Sequence, residues 1–219
     1  MDYRVLTVSR EFGSGGGRIA QIVAEKLGWK LLDRELIEEI ACAAKVDPRI
    51  VTEFDERAES WMGRLNRHAL RSTAMAAGVA PEEQRCFDSD DMARMTHNIV
   101  EHAYVEGRCV IVGRGAQCIL QERKDAFHVF VYAPFRERVC RLRSRLGSGV
   151  NIEERIYSID GERADYLHQA FGKTWNDPHL YALMISSSEN EEATAEVILA
   201  AMKAARFGAA SRPQAAIFG

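Results

Sequence analysis

Ser9-Arg10-Glu11-Phe12-Gly13-Ser14-Gly15-Gly16-Gly17-Arg18 joins a short apolar run to an amphipathic one, and its reading decides the fold. Before it, Val5-Leu6-Thr7-Val8 has the character of a buried strand. After it, Ile19, Ile22, Val23, Lys26 and Leu27 recur at helical spacing, with Gly28 as a stop. The layout is strand, glycine loop, helix. Gly13, Gly15, Gly16 and Gly17 permit backbone turns that a Cβ would obstruct, so successive N–H groups can converge on one anion. The first turn of the helix adds unpaired N–H groups and the positive end of its dipole. Phosphate is the expected guest.

The usual phosphate loop reads G-x-x-x-x-G-K-[ST], with lysine reaching the β- and γ-phosphates and a hydroxyl on magnesium. With Gly15 as the second glycine, Gly16 stands in the lysine's place, and the hydroxyl's place is read as Arg18. The nearest cations are Arg18 on the helix and Arg10 at the strand end. A tight turn that binds nothing is the alternative reading of the same residues.

A chain of 219 residues with 47% apolar content suits one α/β domain with a sizeable core. A net charge of −3 gives no reason to expect a nucleic-acid or membrane surface. The five cysteines form no C-x-x-C pair, and their odd number points to reduced thiols. The amino terminus lacks a basic, apolar leader, and no apolar run approaches the roughly 20 residues of a membrane span. A cytoplasmic protein is expected.

Trp29 to Leu32 reads as a second strand ending at Asp33, which either faces a nucleotide or its magnesium, or caps the next helix. Leu36, Ile37, Ile40, Ala41 and Ala44 mark that helix. From Val46 to Glu106 the pattern is helical and interrupted: helices open at Asp47-Pro48 and span Glu56 to Ala77, a polar break covers Gly78 to Asp90, and helical spacing resumes over Met92 to Val105. Cys109 to Val112 is a central parallel strand, ending in Gly113-Arg114-Gly115. A guanidinium held between two glycines at a strand's carboxyl end suits bidentate phosphate recognition.

Phe127 to Tyr132 is a fourth strand closed by Pro134. The helix after it carries Val139, Leu142 and Leu146 on its apolar stripe, with Arg138, Arg141 and Arg145 beside it. Gly147-Ser148-Gly149 breaks the chain before a further helix traced by Ile152, Ile156, Ile159, Leu167 and Ala170. Arg163 falls on that stripe, where a charge must be paired or face a polar cavity. Asp160, three residues earlier, is its neighbour; a local ion pair or a snorkelling stem is the structural alternative. Leu180 to Ile185 is the last strand. A capping box of Ser188 with Glu191 then starts a helix running to about Arg206, and 207–219 reads as a flexible tail.

With these pieces in order, the chain resembles the cytidylate kinase-like family of phosphate-loop proteins, from about Tyr3 to Lys203. The resemblance is strongest in SREFGSGGGRIA, LLDRELIEEIA, VIVGRGA and IDGERADY. It implies a nucleoside-monophosphate kinase fold: a P-loop NTP hydrolase-like α/β domain over 1–206, with a parallel five-stranded sheet flanked by helices. A helical nucleotide-binding insert over about 46–106 and a lid over about 136–178 are implied as well.

Carried over by position, Gly13, Ser14, Gly15, Gly16, Gly17 and Arg18 form the donor-phosphate cradle, and Asp33 and Arg114 lie near the acceptor. Arg138 and Arg163 stand on the lid side; with Asp160 and Arg18 they make up the expected catalytic set. The resemblance implies ATP and Mg2+ as cofactors, with Ser14 and Asp33 as candidate magnesium ligands, and CMP or dCMP as acceptor. This chain departs from the family pattern at Gly17, Gly115, Ala182 and Ser186. With the loop lysine missing, a nucleotide-binding regulator or pseudokinase is the alternative to an active enzyme.

Overall fold

The computed structural model describes residues 3–33, 89–147, 151–188 and 190–210. The chain divides into two compact units, Met1–Arg34 with Gly107–Gly219, and Glu35–Glu106. The second unit contributes one described helix, α2 (Ser89–Glu106), whose buried residues Thr96, Ile99, Val100 and Ala103 recur at helical spacing.

In the first unit, β1 (Val5–Arg10) runs into the glycine loop and α1 (Gly16–Leu27). The other strands are β2 (Lys30–Leu32), β3 (Cys109–Val112), which leads into the short helix α3 (Ala116–Ile119), β4 (Ala126–Tyr132) and β5 (Leu183–Ser186). They form one all-parallel sheet in the order β2-β3-β1-β4-β5. β1 lies at its centre, with Val8 opposite Val112 of β3 on one side and Arg10 opposite Val131 of β4 on the other. Both faces of a parallel sheet are covered, which is why β1 and β3 read as nearly unbroken apolar runs.

On one face, Leu6 and Val8 pack with Val110, Val129 and Val131 against Ile19 and Val23 of α1 and Ile198 and Met202 of α6 (Glu191–Ala210). On the other face β1 presents Thr7 and Ser9, both buried. Thr7 Oγ1 lies 2.7 Å from His128 Nδ1, which pairs the buried hydroxyl with one ring nitrogen. Phe130 on this face packs with Leu167 of α5 (Ile152–Phe171) and with Leu180 and Tyr181. α4 (Phe135–Leu146) packs through Val139 and Leu142 on Ile152 and Ile156 of α5. Asn151 caps α5 by accepting from Glu154 N–H, and Gly172 ends it at a left-handed φ of 64°.

Several boundaries differ from expectation by a few residues, and those at β5 and α6 have a visible cause. The last strand begins at Leu183 rather than Leu180, because Asp177-Pro178 starts a 3-10 turn over Pro178–Leu180, with the Asp177 carboxylate accepting from His179 N–H at 2.9 Å. Ser188 does not cap α6. Asn190 does, its Oδ1 accepting from Ala193 N–H at 2.6 Å, while the Ser188 hydroxyl lies 2.7 Å from that of Ser186. The helix continues to Ala210, past Arg206. The helices expected between Leu36 and Ala77 lie outside the described residues, as do 148–150 and 211–219.

Candidate phosphate-binding site

The loop turns through left-handed backbone at Gly13 (φ 82°) and Gly15 (φ 80°), with Ser14 buried between them. Ser14 is wholly committed to the turn. Its N–H and its hydroxyl donate to the Glu11 carbonyl at 3.2 and 2.8 Å, and the hydroxyl oxygen accepts from Gly16 N–H at 3.4 Å. The N–H groups of Gly13, Gly15, Gly17 and Arg18 find no acceptor among the described residues. They form a cluster of donors at the positive end of α1, at the carboxyl edge of the sheet. A Cβ on Gly13 would lie 2.8 Å from Leu142 Cδ1, and one on Gly15 would lie 2.7 Å from Glu191 Oε1. The left-handed φ therefore favours glycine at both positions, and at Gly13 the buried Leu142 side chain adds a packing reason.

The α4–α5 hairpin holds this loop through charges. Arg138, buried on α4, donates to the Phe12 carbonyl at 3.3 Å, pairs with Asp160 of α5, and places Nε 3.4 Å from Glu11 Oε2. Asp160 Oδ1 accepts from Phe12 N–H at 2.7 Å, and Glu11 Oε2 accepts from Ala133 N–H at 3.1 Å. Arg141 donates to the Ser14 carbonyl at 3.1 Å and to the Ser187 hydroxyl and carbonyl at 3.0 and 2.6 Å. Each charge is matched by a partner, as partly buried charges must be.

Asp160 is not chiefly the local partner of Arg163. Arg163 lies 3.5 Å from Asp160 Oδ1, and its Nη1 donates to the Arg10 carbonyl at 2.7 Å; the guanidinium carbon is 5.9 Å from the Phe12 ring centre. The i, i+3 spacing suggested one pair, whereas the carboxylate is shared with an arginine 22 residues away in sequence. Arg18 is exposed on the first turn of α1, and Asp33 is half-buried directly after β2.

Gly113, Arg114 and Gly115 all take left-handed φ, at 79°, 58° and 67°. A non-glycine residue there carries backbone strain. Burial raises the phenol pKa of Tyr166 of α5, and the Arg114 charge is close enough to oppose that rise in part. Phe171 of the same helix occupies the place of a Cβ on Gly115.

Glu11, Arg141, Ser187 and Glu191 also shape the loop, and the sequence did not single them out for this role. Only Arg141 carried a signal, as a member of the arginine-rich α4; the others act across long stretches of chain.

The residues present do not fit direct magnesium ligation by Ser14, whose hydroxyl is buried and doubly hydrogen-bonded. Counted from Gly15, the hydroxyl position of the usual motif is Gly17 rather than Arg18, and it has no side chain to offer. The N–H cluster, by contrast, fits a phosphate.

A parallel sheet in this order, with a glycine loop leading from its central strand into a helix, defines the phosphate-loop class of nucleotide-binding folds that includes small-molecule kinases. The chain belongs to the cytidylate kinase-like family, whose family model matches residues 5–189. Its structure is similar to that of an uncharacterised protein from Eubacterium ventriosum ATCC 27560, at 19% identity and a TM-score of 0.65, covering 91% of this chain and 98% of that one. It is also similar to a gluconokinase from Sinorhizobium meliloti 1021, at 11% identity and a TM-score of 0.53, covering 97% and 100%. No curated protein matches the sequence significantly.

Proposed function

We propose that the protein transfers a phosphoryl group from ATP to a nucleoside monophosphate, with CMP or dCMP as the acceptor. The observation that carries this reading is the set of N–H donors on Gly13, Gly15, Gly17 and Arg18, without acceptors among the described residues, at the end of the central strand. Membership of the cytidylate kinase-like family supports the reaction class, and the gluconokinase similarity is consistent with the fold.

Phosphoryl transfer needs positioning and charge neutralisation more than an acid or a base. The loop donors bind the donor's phosphates, and Arg114, with Asp33 beside the same sheet edge, binds the acceptor. Arg163 and Arg18 bring positive charge toward the transferring group. Arg138 and Asp160 keep the loop in shape for it. Mg2+ would neutralise charge on the donor's phosphates; Asp33 is the residue that would hold it, directly or through water, since the Ser14 hydroxyl is already committed to the loop. The insert over 46–106 and the hairpin within 136–178 serve as acceptor lobe and lid. Cys109, Cys118 and Cys140 are free thiols, in keeping with a cytoplasmic site of action, and among the described residues no helix is long and apolar enough to cross a membrane.

A coupled ADP-release assay over the common nucleoside monophosphates, with and without magnesium, tests the proposal; turnover confined to a sugar or another metabolite would overturn the nucleotide acceptor and keep the kinase. One observation favours a second reading: Gly16 leaves the loop without its lysine, and Arg138 and Arg141 are spent on loop carbonyls. A nucleotide-binding regulator without transfer activity would bind ATP tightly and phosphorylate none of the tested acceptors.

A further inference from the structure

In the usual phosphate loop the first position is glycine and the seventh is lysine; in this chain they are Arg10 and Gly16. The structure couples the two sites sterically. A Cβ on Gly16 would lie 2.5 Å from Arg10 Cβ and 3.0 Å from its Cγ, so a side chain at 16 and one at 10 compete for the same space. Gly16 has helical rather than left-handed backbone, and crowding is what excludes a side chain there.

From this point the Arg10 side chain crosses to β3, where its Nη1 fills the place of a Cβ on Gly113. The guanidinium thus lies at the Gly113-Arg114-Gly115 turn, between the ends of β1 and β3, in the crevice where doubly wound sheets bind their ligands. The Arg10 carbonyl accepts from Arg163, which ties the backbone there to α5.

We infer that Arg10 supplies to the donor's terminal phosphates the cation that lysine supplies in the usual loop, delivered from the first position instead of the seventh. The assignment rests on the phosphotransfer reading above. An arginine adds a planar fork, able to hold two phosphate oxygens at once.

Calorimetric affinities for ATP and ADP, with melting temperatures, test it in wild type, Arg10→Gly, Arg10→Met and the Arg10→Gly/Gly16→Lys double variant. Arg10→Met keeps an apolar stem of similar length and guards against loss of folding. Both single variants are expected to bind ATP about 10- to 100-fold more weakly, with a smaller loss for ADP, while the double variant regains most of the affinity. Unchanged ATP affinity in Arg10→Met, or a double variant no better than Arg10→Gly, would overturn the assignment and leave the phosphotransfer reading standing. A wild-type protein that binds neither nucleotide overturns both.

Discussion

Arg141 donates Nη1 to the carbonyl oxygen of Ser14 at 3.1 Å, tying α4 to the turn of the glycine loop. The same guanidinium holds Ser187 at the end of β5, so one side chain joins three segments. Arg141→Ala leaves buried acceptors without a charged donor, at a cost of about 1.5–3 kcal/mol. A fall in melting temperature of about 4–8 °C is expected, with weaker ATP binding as the loop loses its shape. Scanning fluorimetry with and without ATP checks both; a protein equally stable and equally protected by ATP would show that the contact carries no weight.

Gly15→Val tests the cradle. Valine meets the Glu191 carboxylate and is forced to a φ near 80°. Pairing it with Glu191→Ala removes the clash and leaves the backbone strain. ATP affinity is expected to fall in both variants, and wild-type affinity in a folded Gly15→Val protein would refute backbone binding of phosphate.

Arg114 offers a trade between stability and function. Arg114→Gly relieves the left-handed strain and is expected to stabilise the protein by up to about 1 kcal/mol. The same change should raise the KM for the acceptor about 10- to 100-fold and leave that for ATP nearly unchanged. Steady-state kinetics in both substrates separate the outcomes; equal losses for the two would move Arg114 away from the acceptor.

For Arg163, lysine keeps the charge and loses the fork that reaches the Arg10 carbonyl and Asp160 together. Arg163→Lys is expected to lower kcat at least ~100-fold with little change in ATP affinity or melting temperature. Retained kcat with a loss of several degrees would make Arg163 a purely structural tie.

His128 gives the fold a pH dependence. Burial lowers its pKa below the ordinary 6.5. Above that value both folded and unfolded chains hold it neutral; below it the unfolded chain takes up a proton that the folded chain resists, so stability falls. Melting temperature should drop from about pH 7 to about pH 5, and less steeply in His128→Gln. Parallel curves would remove His128 as the source.

The sheet was legible because its information is local. Val5 to Val8 and Cys109 to Val112 are apolar runs, and Gly28 stands where α1 must stop. Placing Gly13 to Gly17 between the first strand and its helix also located the candidate site. Partners distant in sequence were not legible. Asp160 looked like the neighbour of Arg163 because helical spacing is visible, whereas its contact with Arg138 depends on how two helices pack. Ser187 and Glu191 reach the loop from the far end of the chain, and neither residue type announces that role. At β5, the continuous apolar reading of Leu180-Tyr181-Ala182 hid a turn begun by Asp177-Pro178.

The crowding of Arg10 against Gly16 also constrains how such a loop can change over generations. Lysine arriving first at position 16 collides with an arginine stem, and arginine lost first from position 10 leaves the crevice short of a charge. Single-step descent from one arrangement to the other passes through an impaired ancestor, so the exchange requires a paired change. Position 113 would not follow freely: its left-handed φ of 79° favours glycine even where no arginine fills the space beside it.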